Sequence, residues 1–142
     1  MPSFACVVLV DRRGWLLLQE RDEHAPIDPE TWGLCGGHVE DGEDVEDAAY
    51  RQLVDETELD LPRGTLRHNT TLDVFHEVYG TTDPVHVYVA GVDLTDDDVE
   101  CHEGRQMVFV DPAVALRRPL ARPTALVLPD LLDSDLYRRL TR

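Results

Sequence analysis

The segment from Gly36 to Leu59, GGHVEDGEDVEDAAYRQLVDETEL, constrains this chain more than any other. A double glycine and an acidic loop lead into a stretch, Asp44 to Thr57, that contains neither Gly nor Pro. Within it Val45, Ala48, Ala49 and Leu53 recur at three- and four-residue steps, the spacing of one buried helical face. The spacing predicts a helix. On it Gln52, Asp55 and Glu56 stand at i, i+3 and i+4, so their side chains can converge on one point that suits a hard cation. Glu43, Asp44, Glu46 and Asp47 fall in or before the first turn, where the helix dipole favours negative charge, and need no functional explanation. Asp55 and Glu56 do need one. Near the C-terminal end the dipole disfavours each by about 0.3 to 1 kcal/mol, and only Arg51, four residues before Asp55, compensates locally. A merely solvated acidic face is the simpler alternative, against which stand Gly36, Gly37 and Glu43 directly in front of the helix.

The rest of the chain supplies a frame for this helix. Phe4 to Val10 is continuously apolar, Asp11 to Gly14 is a turn, and Trp15 to Glu20 resumes the apolar run, predicting a hairpin buried on both faces. Arg21 to Glu30, with Pro26 and Pro29 among charges, reads as a loop, and Thr31 to Cys35 as a short strand delivering Gly36 and Gly37. Leu61-Pro62-Arg63-Gly64 ends the helix. Leu66 to Tyr79 and Val85 to Val92 read as strands joined through Gly80 to Pro84, and Met107 to Val110 as a further strand. Thr95 to Glu100 is expected to be a solvated acidic loop. Segments near Ala113–Leu116, Thr124–Leu132 and Leu136–Leu140 look helical. Strands on both sides of one central helix, with helices at the end, predict an α/β fold with a mixed sheet between helices.

Composition narrows the function. At 142 residues and 42% apolar content, the chain 1–142 suits one domain. A net charge of −16 argues against direct attraction to a nucleic acid backbone or an anionic membrane. An anionic substrate needs metal ions as intermediaries. All 13 basic residues are Arg, and Asp outnumbers Glu, which fits either salt adaptation or a composition-biased genome. Cys6, Cys35 and Cys101 are odd in number and widely spaced, and the N-terminus lacks a signal-peptide pattern, so a reduced, cytoplasmic setting is expected. No apolar run reaches the roughly 20 residues of a membrane span. Cys101-His102 lacks the further ligands that zinc requires and is expected to be ordinary packing.

The central segment resembles the signature of the Nudix hydrolases. That pattern runs Gly, five residues, Glu, seven residues, then Arg-Glu-apolar-x-Glu-Glu-x-Gly-apolar. Here Gly37, Glu43, Arg51, Leu53, Glu56 and Leu59 match it, while Gln52, Asp55 and Glu58 depart. Trp32-Gly33-Leu34-Cys35-Gly36-Gly37 is similar to the Trp-x-Leu-Pro-Gly-Gly that often precedes the signature, without its proline. Weaker likenesses are Leu16–Arg21 to the family's early strand and Glu103–Val110 to its late acidic loop and strand. The resemblance implies a single Nudix-type α/β/α sandwich with a mixed central sheet.

It also implies a chemistry, the metal-assisted attack of water on a phosphoanhydride with Mg2+ or Mn2+ as cofactor. By the resemblance, Asp55 and Glu56 are metal ligands, Gly37 offers its carbonyl, and Arg51 pairs with Glu43 to fix the loop onto the helix. Glu40 joins the outer shell. Gln52 occupies a position where the family carries a carboxylate, so Glu103 becomes the preferred general base or additional ligand. A carboxamide brings no charge, and a unit charge pair at 4 Å is worth about 4 kcal/mol at an effective dielectric near 20, most of it offset by hydration. Metal affinity is therefore expected to be lowered. Glu58 in place of glycine is expected to resist the left-handed cap at a cost of about 1 kcal/mol unless the helix runs on.

Two function classes fit these residues. One is a hydrolase of a nucleoside diphosphate linked to another group, with Glu56, Glu103, Arg51 and Glu43 as its working residues. The other is a binding or sensing module for a nucleotide-like ligand on the same fold, without turnover. The expected partner is a nucleotide-like small molecule, not a nucleic acid polymer or a membrane, and a homodimer stays open. Trp32, Phe75, His76, His86 and Tyr88 are of the right type to recognise a base, and His24 and His38 to meet phosphate, although each is more often plain packing or an exposed loop residue. Triphosphates, oxidised nucleotides, nucleotide sugars and dinucleotides are not distinguished by the sequence.

Overall fold

The computed structural model describes residues 2–141. The apolar N-terminal run forms β1 (Phe4–Val10), and Gly14, at φ 82°, turns the chain into β2 (Leu16–Glu20). Both strands are almost wholly buried, as their unbroken hydrophobicity requires. They pair with each other only at Val10 and Leu16. Into the opening run β3 (Trp32–Gly33), antiparallel to β2, and β4 (Cys35–His38), antiparallel to β1. The one short strand expected here is thus two, changing partner at Leu34. There the backbone N–H leaves the sheet and donates to the Thr124 hydroxyl at 3.1 Å.

On the other side of β1 lies β6 (Thr81–Gly91), parallel to it from Phe4 opposite Val85 to Val10 opposite Gly91. Strand β5 (Arg67–His76) runs antiparallel along the far side of β6, and β7 (Gln106–Val110) antiparallel to β2. The sheet is therefore mixed. The turn between β5 and β6 is shorter than expected, since residues 81–84 already belong to β6. Pro84 is tolerated because β6 there extends past the first residue of β1, leaving β5 as its neighbour.

Alternation along β1 divides the core in two. Phe4, Val8 and Val10 join Val85, Val87 and Val89 on one face, covered by Val127, Leu128 and Leu131 of α3 (Arg122–Leu132). Ala5, Val7 and Leu9 face the other way, onto Ala48, Ala49 and Leu53 of α1 (Val45–Thr57). The result is an α/β/α sandwich, completed by α2 (Pro112–Ala115) and α4 (Asp135–Leu140), with α4 beside α3. Among the described residues no helix is long and apolar enough to cross a membrane.

Two local expectations are corrected. Glu58 does adopt the left-handed cap, at φ 62° and ψ 15°, and its N–H donates to the Val54 carbonyl at 3.0 Å. Neighbouring groups hold it there. The N–H groups of Glu100 and His102 satisfy the carbonyls of Thr57 and Glu56, both at 3.1 Å, and His102 Nε2 lies 3.0 Å from Glu58 Oε2. The acidic stretch after β6 is also more than solvated. It forms a 3-10 turn at Asp96–Asp98, where Asp96 accepts from the Phe109 N–H at 2.8 Å and ties the turn to β7.

Candidate active site

The divergence of β1 and β2 leaves a cavity of about 380 Å³ at the wide end of the split. Its walls come from Phe4 and Cys6 of β1, Gln19 and Arg21 at the end of β2, Gly36, Gly37 and His38 of β4, and Glu103 and Gly104 before β7. Gly36 permits the close approach of β4 to β1, since a Cβ there would run into the Ala5 carbonyl oxygen and come 2.8 Å from Cys6 Cα.

Helix α1 lies against the opposite side of β4, and its polar side chains reach this strand and the loop that follows. Arg51 is the organiser. Its Nε and Nη2 donate to the two carboxylate oxygens of Glu43 at 2.7 and 3.0 Å, Nη2 also to the His38 carbonyl at 2.9 Å, and Nη1 to Asp55 at 3.2 Å. Glu40 stands 3.8 Å from Nη1. The guanidinium holds the Glu43 carboxyl below the usual range, helped by the N–H of Glu40. Gln52 lies against Gly37, whose absent Cβ would come 2.7 Å from the carboxamide nitrogen, and that nitrogen reaches the His38 carbonyl at 3.4 Å.

Glu56 is the exceptional residue of the group. It is 5% exposed, accepts from the Gly36 N–H at 3.0 Å and receives the Cys35 thiol at 3.5 Å. Burial pushes its carboxyl up to about 8, and the neighbouring Glu103 carboxylate pushes in the same direction. The loop of Glu103 is tied down on both sides, for its carbonyl accepts from Gln19 at 3.0 Å and the His102 N–H donates to the Glu56 carbonyl at 3.1 Å.

The predicted residues thus fall into two groups. Glu43, Arg51 and Asp55 form one ion-pair chain on the outer side of α1, while Glu56 and Glu103 meet on its inner side. Gln52 lies at Gly37. Among the described residues no three His, Cys, Asp or Glu side chains are grouped closely enough to hold a metal ion by themselves. The donor set nevertheless fits a magnesium-like ion, which takes one or two carboxylates, keeps several waters and shares its remaining positions with substrate phosphates. Glu56, buried and pressed by the neighbouring Glu103 carboxylate, is costly to ionise without a cation beside it, and this is the observation on which the fit rests.

Of the aromatic candidates, His76 lines the cavity, as do His24 and His38. The others do not. Trp32 is buried beneath the Arg118 guanidinium at 4.3 Å, Tyr88 packs in the α1 layer, Phe75 is exposed, and His86 bonds Thr71 at 3.0 Å. Sequence reasoning missed Phe4, Tyr79, Gln19 and Arg21. Arg21 carried a usable signal, being a charge at the end of an otherwise buried strand. In the structure its Nη1 donates to the Ile27 carbonyl at 2.6 Å, while its Nε is sealed from water without a partner. Cys101 and His102, read as ordinary residues without a zinc role, are exposed in the loop beside Glu103.

Comparisons with known proteins agree with this architecture. A family model described as NUDIX domain matches residues 1–131. No curated protein sequence matches significantly. Among solved structures, a MutT NUDIX hydrolase from Burkholderia pseudomallei is 25% identical with a TM-score of 0.75, over 89% of this chain and 95% of that one. The NUDIX domain of Shewanella oneidensis NrtR, solved with ADP-ribose, is 19% identical with a TM-score of 0.73, over 89% and 83%. The ORF135 protein of Escherichia coli is 24% identical with a TM-score of 0.69, over 93% and 90%.

Proposed function

The chain belongs to the Nudix family, and from that premise we propose that it is a magnesium- or manganese-dependent hydrolase of a phosphoanhydride in a nucleoside diphosphate linked to another group. The observation that carries the proposal is the buried Glu56, held by the Gly36 N–H beside Glu103 at the edge of the cavity.

In this reading Glu56 holds the metal, with Glu103 as an additional ligand or as the base, assisted by the Gln52 carboxamide and the Gly37 carbonyl, while Asp55, on the outer side of α1 with Arg51, acts through water. A bound divalent ion neutralises phosphate charge and acidifies the attacking water. Glu56 must be ionised to serve as a ligand, and burial makes it hold its proton at neutral pH when nothing else offsets its charge. Glu103, nearer the cavity, is the candidate to accept the proton of the attacking water. Arg51 touches no cavity-lining side chain. It positions, pinning Glu43 and the His38 carbonyl so that the glycine turn stays against the helix. The cavity accommodates the nucleoside part, with Arg21 the cation available to an anionic substrate.

ADP-ribose bound by the NrtR domain supports a nucleotide-like ligand class for this fold. The three free thiols and the net charge support a reducing, cytoplasmic setting and a small-molecule partner, not a nucleic acid or a membrane. Binding without turnover is the second reading, and Gln52 is the feature that favours it.

A phosphate-release screen with magnesium and manganese over nucleoside triphosphates, oxidised nucleotides, nucleotide sugars and dinucleotides tests the proposal. Turnover of one class is expected. No turnover of any class, with thermal stabilisation by one ligand, would move the assignment to the binding module.

A further inference from the structure

The inward positions Leu72 and Val74 of β5 and Val85, Val87 and Val89 of β6 are apolar and face the same layer. The next inward positions on the two strands are His76 and Asp83, both buried and the latter fully sealed. A period-two pattern calls for apolar residues there, so a polar pair at this point breaks the rule that the adjoining inward positions obey.

The pair has a definite geometry. His76 Nδ1 lies 3.2 Å from Asp83 Oδ2, which also accepts from the Thr81 hydroxyl at 2.9 Å. Asp83 Oδ1 is sealed from water and has no partner. With the imidazole neutral and Asp83 the acceptor at Nδ1, that nitrogen donates and Nε2 is left as an acceptor. Among the described residues Nε2 has no hydrogen bond, and it is not one of the sealed atoms, so it opens on the cavity that His76 lines. Phe4, His38, Tyr79 and His76 form a closed group of tilted and edge-on rings, with Phe4 4.5 Å from His38 and 4.6 Å from His76, and Tyr79 5.6 Å from His38 and 6.3 Å from His76.

We propose that His76, oriented by Asp83, is the specificity-determining residue of this cavity and reads a donor edge, an exocyclic amino or ring N–H, of a heterocyclic base seated against this group of rings. A 380 Å³ space with apolar walls and a few convergent polar atoms is of the size and type that takes such a ring. The inference rests on the nucleotide-linked reading above and narrows it, because a diphosphate carrying no base leaves His76 unused. Asp83 touches no ligand and is a positioning residue, fixing which ring nitrogen is free.

The test is calorimetric binding of ADP, GDP, CDP, UDP and inorganic pyrophosphate, with magnesium, to the wild-type chain, His76→Phe, His76→Gln and Asp83→Asn. Adenine, guanine, cytosine and uracil carry their donors at different ring positions, so one fixed acceptor that leaves a mispositioned ligand unpaired is expected to prefer one base by about tenfold or more. In His76→Phe the preference should fall to within about twofold while pyrophosphate binding is unchanged, and Asp83→Asn should fall between. Thermal melts accompany each variant, and His76→Gln carries the comparison if the larger ring prevents folding. A base preference that survives both His76 substitutions, equal binding of all four nucleotides by the wild type, or no binding of any, overturns the inference. Turnover of the same nucleotides is read separately. Turnover without base preference removes this inference and keeps the hydrolase, whereas base preference without turnover does the reverse.

Discussion

Arg51 and Glu43 form a two-pronged ion pair, 2.7 and 3.0 Å, between the middle of α1 and the loop that precedes it. Planar guanidinium meets carboxylate in a geometry that lysine cannot reproduce. The same guanidinium reaches the His38 carbonyl at the end of β4, so one side chain ties helix, loop and glycine turn together.

Arg51→Lys should therefore lower turnover by about 10- to 100-fold, the usual cost of losing a group that orients metal ligands, with the fold intact by circular dichroism. Steady-state kinetics over a magnesium titration checks this. Unchanged kinetics would mean that the pair only stabilises the loop.

Gln52→Glu restores a charge beside Gly37. A unit charge near a cation is worth about 4 kcal/mol at 4 Å and an effective dielectric near 20, mostly offset by hydration, so the magnesium concentration for half-maximal rate should fall by about tenfold. An unchanged or higher requirement would show that this side chain lies outside the metal's reach.

Burial raises the Glu56 carboxyl from its ordinary 4.5 to about 8, with Glu103 adding to the effect. Between those values the folded chain keeps a proton that the unfolded chain releases. The resulting stability is complete below about 4.5 and is lost as pH rises through about 8. In chelator, the melting temperature of the wild type should fall relative to Glu56→Gln as pH rises from about 5 to about 8.5. Magnesium, which needs the ionised form, should stabilise the wild type more at the alkaline end. Parallel curves for the two proteins across that range would contradict this account of Glu56.

The two signature glycines should respond differently to alanine. At Gly36 the new Cβ meets backbone atoms of β1, which cannot yield, whereas at Gly37 it meets the mobile end of Gln52. Gly36→Ala should cost about 3 kcal/mol or more and Gly37→Ala clearly less, by chemical denaturation. Equal costs would mean that β4 can slide on β1.

Much of this was legible in the sequence because local pattern and tertiary demand agree. The stripe of Ala48, Ala49 and Leu53 gave α1, and the apolar runs gave β1 and β2. Glu58 was misread because its left-handed cap is held by Glu100 and His102, which are far away in sequence. Leu34 was misread because the partner that breaks the strand, Thr124, lies 90 residues on. The split of Glu56 from Asp55 was equally hidden. Helical spacing places the two on adjoining parts of one face, but only the packing of β4 decides that Glu56 turns inward to the Gly36 N–H while Asp55 stays with Arg51. Phe4 and Arg21 belong to the cavity because β1 and β2 separate, and nothing in either strand's own sequence announces that separation.

The most direct test of the central claim is turnover of the best nucleotide substrate by wild type and Glu56→Gln side by side, each with magnesium and with chelator. The account predicts turnover by the wild type only when magnesium is present, and a loss of about 10³-fold or more in the variant at every magnesium concentration. Full activity in Glu56→Gln would contradict it and place the reaction elsewhere in the molecule.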